Sequence, residues 1–369
     1  MIGKDRHYFA RGNTARGVHF LYDSAFQGLN KLFLLEGFPG TGKSTMMSRL
    51  ADEMLGQGCN VNLFHSPINP DEIDAVINTD LNIGIADGQY CEGLSSLSDV
   101  EIVRIDLGGA VDMNQLSENT QKELEALHSL LVESYSKAYD TFATALRIHD
   151  EWESIYIDQM DFHEANQVGQ ELINSLFGNY TLDKESIVRH LFFGAATPRG
   201  AVDHIQTLTA DLEKRIFIKG RPGSGKSTML KRIAATAEAR GFDVQVFHCG
   251  FDPNSLDMLI FPELSLAIFD STAPHEYFPN RTGDHIVDMY ELAVQPGTDE
   301  RFASDILHIQ QRYSQKMKEA TSYLGEAQEI DSRIKSHYMA ITDFTFVNHL
   351  YRELQSELNH LITHTRQEA

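Results

Sequence analysis

One short pattern occurs twice in this chain and limits what the chain can fold into. The segment Arg215–Thr228 reads Arg-Ile-Phe-Ile-Lys-Gly-Arg-Pro-Gly-Ser-Gly-Lys-Ser-Thr, with the spacing G-x-x-x-x-G-K-S. The same spacing recurs at residues 37–44, which read Gly-Phe-Pro-Gly-Thr-Gly-Lys-Ser. In both places an apolar run precedes the glycines and a helix-forming run follows the lysine. The pattern therefore predicts a strand, a glycine-rich loop and a helix, present twice.

The residue types of this loop suit the binding of phosphate groups. Glycines let successive backbone N–H groups turn inward, and the N-terminus of the following helix adds partial positive charge. The lysine neutralises phosphate charge, and the serine after it offers its hydroxyl to Mg²⁺. The predicted phosphate-binding residues are Gly37, Pro39, Gly40, Thr41, Gly42, Lys43, Ser44 and Thr45 in the first copy and Gly220, Pro222, Gly223, Ser224, Gly225, Lys226, Ser227 and Thr228 in the second.

Both segments resemble the Walker A loop of the P-loop NTPase superfamily. The tandem arrangement also resembles an uncharacterised bacterial group of P-loop ATPases with two such modules on one chain, and this resemblance covers most of the chain. It implies ATP and Mg²⁺ as cofactors. It also implies that Lys43 and Lys226 are catalytic charge neutralisers and that Ser44 and Ser227 are inner magnesium ligands. The chain has no N-K-x-D or T-K-x-D run, which favours adenine over guanine as the base.

An aspartate follows each loop at the end of an apolar run. The two runs are Leu81–Asp87 and Leu264–Asp270. Ligands bind at the carboxyl ends of parallel strands, so we expect Asp87 and Asp270 to face the phosphates and to hold Mg²⁺ directly or through water. An aspartate that only begins a turn is the alternative.

The residue after each aspartate departs from the superfamily pattern. Many P-loop ATPases have a glutamate there, which orients the attacking water, but this chain has Gly88 and Ser271. Glu276 lies near Asp270 in the sequence, whereas Glu92 of the first copy is one residue out of register. We therefore expect any hydrolysis to be slow.

Two further features bear on catalysis. His65 and His248 end equivalent strands, and His248 is a candidate contact to the γ-phosphate, a substrate or the attacking water; a hydrogen-bonded structural histidine is the alternative. Residues 271–276 also place hydroxyls and two titratable groups beside the aspartate of the second copy only. Arg221 of the second loop is Phe38 in the first. If one site is degraded, these differences favour the first copy as that site.

The chain is one module present twice. Lys43 and Lys226 are 183 positions apart, and at that offset residues 37–87 align with residues 220–270 without a gap. Identities continue beyond the loops, so the match is more than two shared motifs. We place the first module at residues 1–182 and the second at residues 183–369.

Short apolar runs alternate with helical runs in each module, which predicts an α/β fold with a parallel sheet flanked by helices. The predicted strands are Lys31–Leu35, Val61–Phe64 and Leu81–Ala86, and Ile216–Ile218, Val244–Phe247 and Leu264–Phe269. The predicted helices are Ser44–Leu55 and Asp71–Val76, and Ser227–Ala239 and Asn254–Ile260.

A long helical arm is predicted after each α/β part, at about residues 113–178 and 298–366. Apolar residues recur there every seven positions, which is typical of a long helix that packs on one neighbour. Asp161 and Asp343 are candidate N-caps of a shorter returning helix. The arms either pack on each other or on their returning helices, or act as a lever or docking surface for a protein partner.

Composition limits the partners. The chain of 369 residues carries 31 basic against 53 acidic side chains, a net charge of −22, which disfavours nucleic acid as a partner. No apolar run approaches the roughly 18 residues of a membrane span. We see no signal peptide, and three cysteines without metal-ligand spacing fit reduced thiols, so we expect a cytoplasmic protein.

The expected function is that of an ATP-binding P-loop NTPase with two nucleotide sites. Slow Mg²⁺-dependent ATP hydrolysis would be coupled to the geometry of the arms. Two alternatives stay open, namely a P-loop kinase that transfers the γ-phosphate to a small molecule and a nucleotide-dependent switch that does not hydrolyse.

Overall fold

The computed structural model describes residues 2–91, 97 and 99–368. Two compact units make up the chain. Unit 1 consists of Met1–Arg11, Phe20–Lys137 and Ser322–Ala369, and unit 2 consists of Gly12–His19 and Ala138–Thr321.

The described chain alternates strands with helices and has two very long helices. Its strands are β1 (Asp5–Tyr8), β2 (Arg11–Thr14), β3 (Gly17–Phe20), β4 (Lys31–Glu36), β5 (Val61–His65), β6 (Ile73–Asn78), β7 (Ile83–Asp87), β8 (Glu101–Asp106), β9 (Val188–Leu191), β10 (Gly194–Thr197), β11 (Gly200–Asp203), β12 (Lys214–Lys219), β13 (Val244–His248), β14 (Leu256–Phe261), β15 (Leu266–Asp270) and β16 (Asp284–Asp288). Its α-helices are α1 (Tyr22–Ala25), α2 (Lys43–Gly56), α3 (Glu118–Ile157), α4 (Phe162–Phe177), α5 (Ile205–Leu208), α6 (Lys226–Ala239), α7 (Met289–Ala293), α8 (Thr298–Arg301), α9 (Ala303–Ala340) and α10 (Phe344–Glu368).

Each unit contains one six-stranded sheet, and the two sheets have the same topology. The strand order is β8-β4-β7-β6-β5-β1 in unit 1 and β16-β12-β15-β14-β13-β9 in unit 2. In each sheet the strand before the glycine-rich loop lies between two parallel neighbours, one of which carries Asp87 or Asp270 at its end. The predicted α/β class and the duplication of the architecture are confirmed.

The sequence predicts parallel sheets, and this prediction is wrong for one strand of each sheet. Short helices were expected over Asp71–Val76 and Asn254–Ile260, but these segments form the strands β6 and β14, which run antiparallel to both neighbours. All six residues of β6 are buried. A strand buried on both faces does not alternate between apolar and polar residues, so its pattern resembles that of a short buried helix. The sheets are therefore mixed.

Two further sheets have two strands each. One is formed by β2 and β3, and the other is the antiparallel hairpin of β10 and β11. This hairpin ends at Asp203 and belongs to unit 2.

The long helices divide between the units. Residues 118–137 of α3 and 322–340 of α9 belong to unit 1, whereas residues 138–157 and 303–321 belong to unit 2. In unit 1 the core of the sheet is closed by α2 and α10, and in unit 2 by α4 and α6. The returning helix of each copy thus packs on the sheet of the other copy, and the compact units are not the consecutive halves 1–182 and 183–369 of the sequence repeat.

The predicted N-caps of both returning helices are confirmed. The Asp161 carboxylate accepts hydrogen bonds from the backbone N–H groups of His163 and Glu164 at the start of α4. The Asp343 carboxylate accepts from Thr345 and Phe346 at the start of α10. Both caps satisfy N–H groups that have no partner within the helix. Among the described helices, none combines the length and the apolar composition that crossing a membrane requires.

Candidate nucleotide-binding site

Each glycine-rich loop joins a central strand to a long helix, as the sequence predicts. The first loop connects β4 to α2 and the second connects β12 to α6. The glycine before each helix, Gly42 or Gly225, has a left-handed backbone conformation with φ of 91° or 82°. The first turn of each helix therefore begins at the lysine, and its N–H groups are without partners inside the helix.

A buried hydroxyl holds each loop in shape. Thr41 donates to the carbonyl oxygen of Phe38 over 2.8 Å, and Ser224 donates to that of Arg221 over 2.8 Å. Both side chains are fully buried. A predicted phosphate-binding residue of each copy thus fixes the loop conformation through its side chain.

The predicted lysine and aspartate lie together in each copy. Lys43 Nζ is 3.4 Å from Asp87 Oδ1, and Lys226 Nζ is 3.6 Å from Asp270 Oδ2. Each ammonium also donates to a carbonyl of its own loop, that of Gly37 over 2.7 Å or Arg221 over 2.9 Å. Burial raises the pKa of Asp87, and the charge of Lys43 opposes this shift. Each loop therefore holds one cation directly beside the end of the neighbouring strand.

The oxygens near the second loop are of the type that Mg²⁺ binds. Ser227 Oγ accepts from the backbone N–H of Leu256 over 2.9 Å, and Ser44 Oγ accepts from Ile73 in the same way. Asp270 Oδ1 accepts from the backbone and hydroxyl of Thr272. Hydroxyl and carboxylate oxygens are hard ligands that suit this ion, so the predicted metal residues fit it chemically.

The second loop lines a large cleft within unit 2. The volume of the cleft is about 1370 Å³. Every predicted phosphate-binding residue of the second copy lines it, together with Asp270. Further acidic and titratable groups on its wall are Asp257, His275 and Glu276.

Residues of α3, in the arm of the first copy, also line this cleft and contact the second loop. A Cβ atom on Gly223, which has a φ of 74°, would lie 2.5 Å from the carbonyl oxygen of Glu153 in α3. His149, Asp150 and Glu153 also line the cleft, and one nitrogen or oxygen atom of each lies within 4.8 Å of the others. Helix α3 and the second loop are in such close contact here that a change in the position of one would displace the other.

The first loop is covered by the corresponding part of α9. The ring of Phe38 stacks on the ring of Tyr338, within an apolar cluster that includes Ile334. Lys335 of the same helix pairs with Glu72 over 2.6 Å and with Asp331 over 2.9 Å. Burial opposes the charge of Lys335, but these two carboxylates raise its pKa. Pro39 and Gly40 belong to this covered loop, and a Cβ atom on Gly40 would lie 2.5 Å from the carbonyl oxygen of Lys335. Thr45 is exposed in α2.

A buried arginine distinguishes the first copy further. Arg11 Nε donates to Asp74 Oδ2 over 2.7 Å, and its guanidinium lies 3.7 Å from the centre of the Tyr90 ring. At the sequence offset of the repeat the second copy has Gly194 and Asp257. Burial, with the charge of Asp270, raises the pKa of Asp257 to about 6. The second copy thus has a half-buried carboxyl group on the wall of its cleft where the first has a buried ion pair.

The two strand-end histidines are bonded to protein through both ring nitrogens. His248 Nδ1 lies 2.6 Å from the carbonyl oxygen of Pro253, and its Nε2 lies 2.8 Å from His190 Nδ1. His65 makes the equivalent contacts with Pro70 and His7. Burial lowers the pKa of His248 to about 4. His248 is not among the described residues that line the cleft, so the geometry favours the structural alternative.

The acidic residues considered as replacements for the missing glutamate have different positions. Glu276 is exposed and lies 3.5 Å from Lys219 Nζ. Glu92 lies outside the described residues.

The contributions of Asp257 and of the α3 residues were not predicted. Asp257 could have been found from the sequence, because the repeat has an aspartate at both equivalent positions, Asp74 and Asp257. The contact of α3 with the second loop depends on tertiary packing alone.

Comparison with known proteins does not assign this chain to a family. The two loops, the cleft and their surrounding side chains are the observations that bear on function. No protein-family model, curated protein or solved structure matches this chain.

Proposed function

We propose that this chain is an ATP-binding P-loop NTPase whose second loop is the working nucleotide site. The observation that carries this proposal is the cleft of about 1370 Å³, which all the predicted phosphate-binding residues of the second copy line. Lys226 supplies charge to the phosphates, and the N-terminus of α6 adds its partial positive charge. When bound, Mg²⁺ would be held by Ser227 and Asp270 and would neutralise charge on the transferred phosphoryl group.

The first loop serves as a structural copy in this proposal. The Phe38–Tyr338 stack and the paired Lys335 lie against the first loop, whereas the second loop lines the cleft of about 1370 Å³. Slow hydrolysis at the second loop is coupled to the position of α3, because Gly223 and the Glu153 backbone are in close contact. The adenine preference rests on the sequence alone.

The volume of the cleft favours one alternative specifically. Ligand pockets commonly measure about 300–1,000 Å³, so a cleft of about 1370 Å³ has room for a second small molecule beside the nucleotide. Transfer of the γ-phosphate to a small acceptor is therefore the second candidate.

The test is a calorimetric titration with Mg·ATP and with Mg·GTP, followed by measurement of phosphate release. We expect one equivalent of ATP to bind, with slow release of phosphate. Lys226→Ala abolishes binding, whereas the matched variant Lys43→Ala retains it. Binding that survives Lys226→Ala would overturn the assignment. Binding without phosphate release would favour the switch, and release that depends on an added small-molecule acceptor would favour the kinase.

A further inference from the structure

A carboxylate and an imidazole are paired at the cleft of unit 2. Asp203 Oδ2 lies 2.7 Å from His275 Nδ1, and Asp203 Oδ1 accepts a hydrogen bond of 2.7 Å from the Tyr277 hydroxyl. The backbone N–H of Ile205 donates to the same carboxylate. These three contacts hold Asp203 in place at the end of β11.

The pairing determines which nitrogen of His275 is basic. A carboxylate only accepts hydrogen bonds, so Nδ1 carries the proton, and the lone pair of the neutral ring is on Nε2. The His275 ring packs edge-on against Phe193, with centroids 5.1 Å apart. The ring is therefore fixed in orientation by a polar contact on one side and an aromatic contact on another.

The charge on Asp203 is stable at neutral pH. Burial disfavours its ionised form, but the bonds from His275 and Tyr277 outweigh burial and lower its pKa. The side chains of Asp203 and His275 are only 13% and 16% exposed, so bulk water screens their interaction weakly.

The position of His275 relates it to the second loop. It lines the cleft together with Lys226 and Asp270, the residues that our proposed function places at the phosphates. The other titratable groups of its surroundings are Asp257, whose charge interacts with it, and Glu276, which lies next to it and pairs with Lys219. Two histidines are among the described residues that line the cleft. His275 is held by a carboxylate at hydrogen-bond distance, whereas His149 Nδ1 lies 3.7 Å from the nearest Glu153 oxygen.

We propose that His275 is the general base of the second loop and that Asp203 is its positioning residue. This inference rests on the proposed ATP hydrolysis at that loop. Nε2 of His275 takes a proton from water, and the water oxygen forms a bond to the γ-phosphorus. The bond between the γ-phosphorus and the β–γ bridging oxygen breaks, and its electron pair leaves with ADP. The proton on His275 then passes to solvent.

The repeat makes the pair specific to the second copy. At the sequence offset of 183 positions, Asp203 corresponds to Phe20 and His275 to Glu92. The pair also supplies what the sequence lacks, because Ser271 stands where many P-loop ATPases have a glutamate that orients water. A histidine base of this kind contributes about 10²–10⁴-fold to a rate.

The test compares His275→Gln and Asp203→Asn with the wild-type chain, and uses His285→Gln, an exposed histidine of the same unit, as the control. Calorimetry with Mg·ATP reports binding, and phosphate release between pH 5 and 9 reports the rate. We expect all three variants to bind ATP as the wild type does. His275→Gln loses about 10²-fold or more in rate, together with the decline of the wild-type rate at acidic pH, and added imidazole restores part of the activity. Asp203→Asn has a smaller loss and shifts that acidic decline, which loss of packing alone would not do.

Several results would overturn the inference. One is a His275→Gln variant that binds ATP and releases phosphate at the wild-type rate with the wild-type pH profile. Another is an Asp203→Asn variant whose pH profile is unchanged, which also decides the matter if His275→Gln does not fold. Wild-type binding without phosphate release removes the general base but leaves nucleotide binding intact. Failure of the wild type to bind ATP removes the proposed function itself, so the two failures are distinguishable.

Discussion

The aromatic ring of Phe38 stacks on the ring of Tyr338, with centroids 4.9 Å apart and planes inclined by 19°. Phe38 belongs to the first glycine-rich loop, and Tyr338 belongs to the last turn of α9. At the equivalent place in unit 2, Arg221 pairs with Asp299 over 2.8 Å. The two copies thus differ at this place, with an apolar stack in unit 1 and an ion pair at the edge of the cleft in unit 2.

We predict that Tyr338→Ala destabilises unit 1 by about 3–5 kcal/mol, because Tyr338 is buried and its removal leaves a cavity beside Phe38. Tyr338→Phe keeps the stacked ring and should cost less than about 1.5 kcal/mol. Urea unfolding of both variants measures the difference. Equal losses in the two variants would contradict a role for the ring stack.

Gly223→Ala should distort the second loop. Its φ of 74° disfavours any side chain, and the new Cβ would lie 2.5 Å from the backbone oxygen of Glu153. We expect a loss of about 1–3 kcal/mol in the free energy of unfolding. The matched control is Gly325→Ala in α9, where the new Cβ meets nothing within 4 Å and should stabilise the helix by about 0.5–1 kcal/mol. Thermal unfolding of the two alanine variants should shift in opposite directions.

Arg11→Met should destabilise the chain by about 3–5 kcal/mol, because it leaves Asp74 buried without its ion-pair partner. Both side chains are 6% exposed. The double variant Arg11→Met/Asp74→Asn removes the uncompensated charge and should recover part of the loss. Urea unfolding of the single and double variants tests this; a double variant no more stable than Arg11→Met would show that the charge is not the cause.

Protonation of His248 should couple stability to pH. Its pKa of about 4 in the folded chain is below the usual value of roughly 6.5, so between these values the unfolded chain binds the proton more tightly. Stability contributed by the neutral ring is therefore present above pH 6.5 and is lost as the pH falls towards 4, at no more than about 1.4 kcal/mol per pH unit.

The measurement for His248 is urea unfolding of the wild type and of His248→Gln at pH 7 and pH 5. We expect the variant to lose less stability than the wild type between the two values. The exposed His360→Gln should behave as the wild type does. This comparison separates the buried ring from the general effect of acid on a chain with a net charge of −22. A variant that loses as much stability as the wild type would contradict the prediction.

Local features of the fold were predictable from the sequence. The spacing of glycine, lysine and serine led to the strand–loop–helix units, because few residue types tolerate the backbone angles found at Gly42 and Gly225. Asp161 and Asp343 were recognisable as caps, since a helix start needs an acceptor close in the chain. The positions of Asp87 and Asp270 beside the two lysines followed from strand ends that meet at one sheet edge.

The repeat of the chain was also determined by the sequence alone, because identities at one constant offset require no knowledge of contacts. The same offset pairs Asp74 with Asp257, but it does not show that these two residues have different neighbours. Arg11 and Gly194, which make those surroundings differ, stand outside the gap-free alignment of residues 37–87 with 220–270.

Tertiary structure alone decided the rest. The strands β6 and β14 depend on pairing with neighbours on both sides, and a short buried run has no periodicity that separates strand from helix. The packing of α3 on the second loop and the pairing of Asp203 with His275 join residues 70 or more positions apart. Sequence patterns report interactions within a helix or a strand, whereas such contacts depend on how whole elements pack, and the cleft of the second copy exists only through that packing.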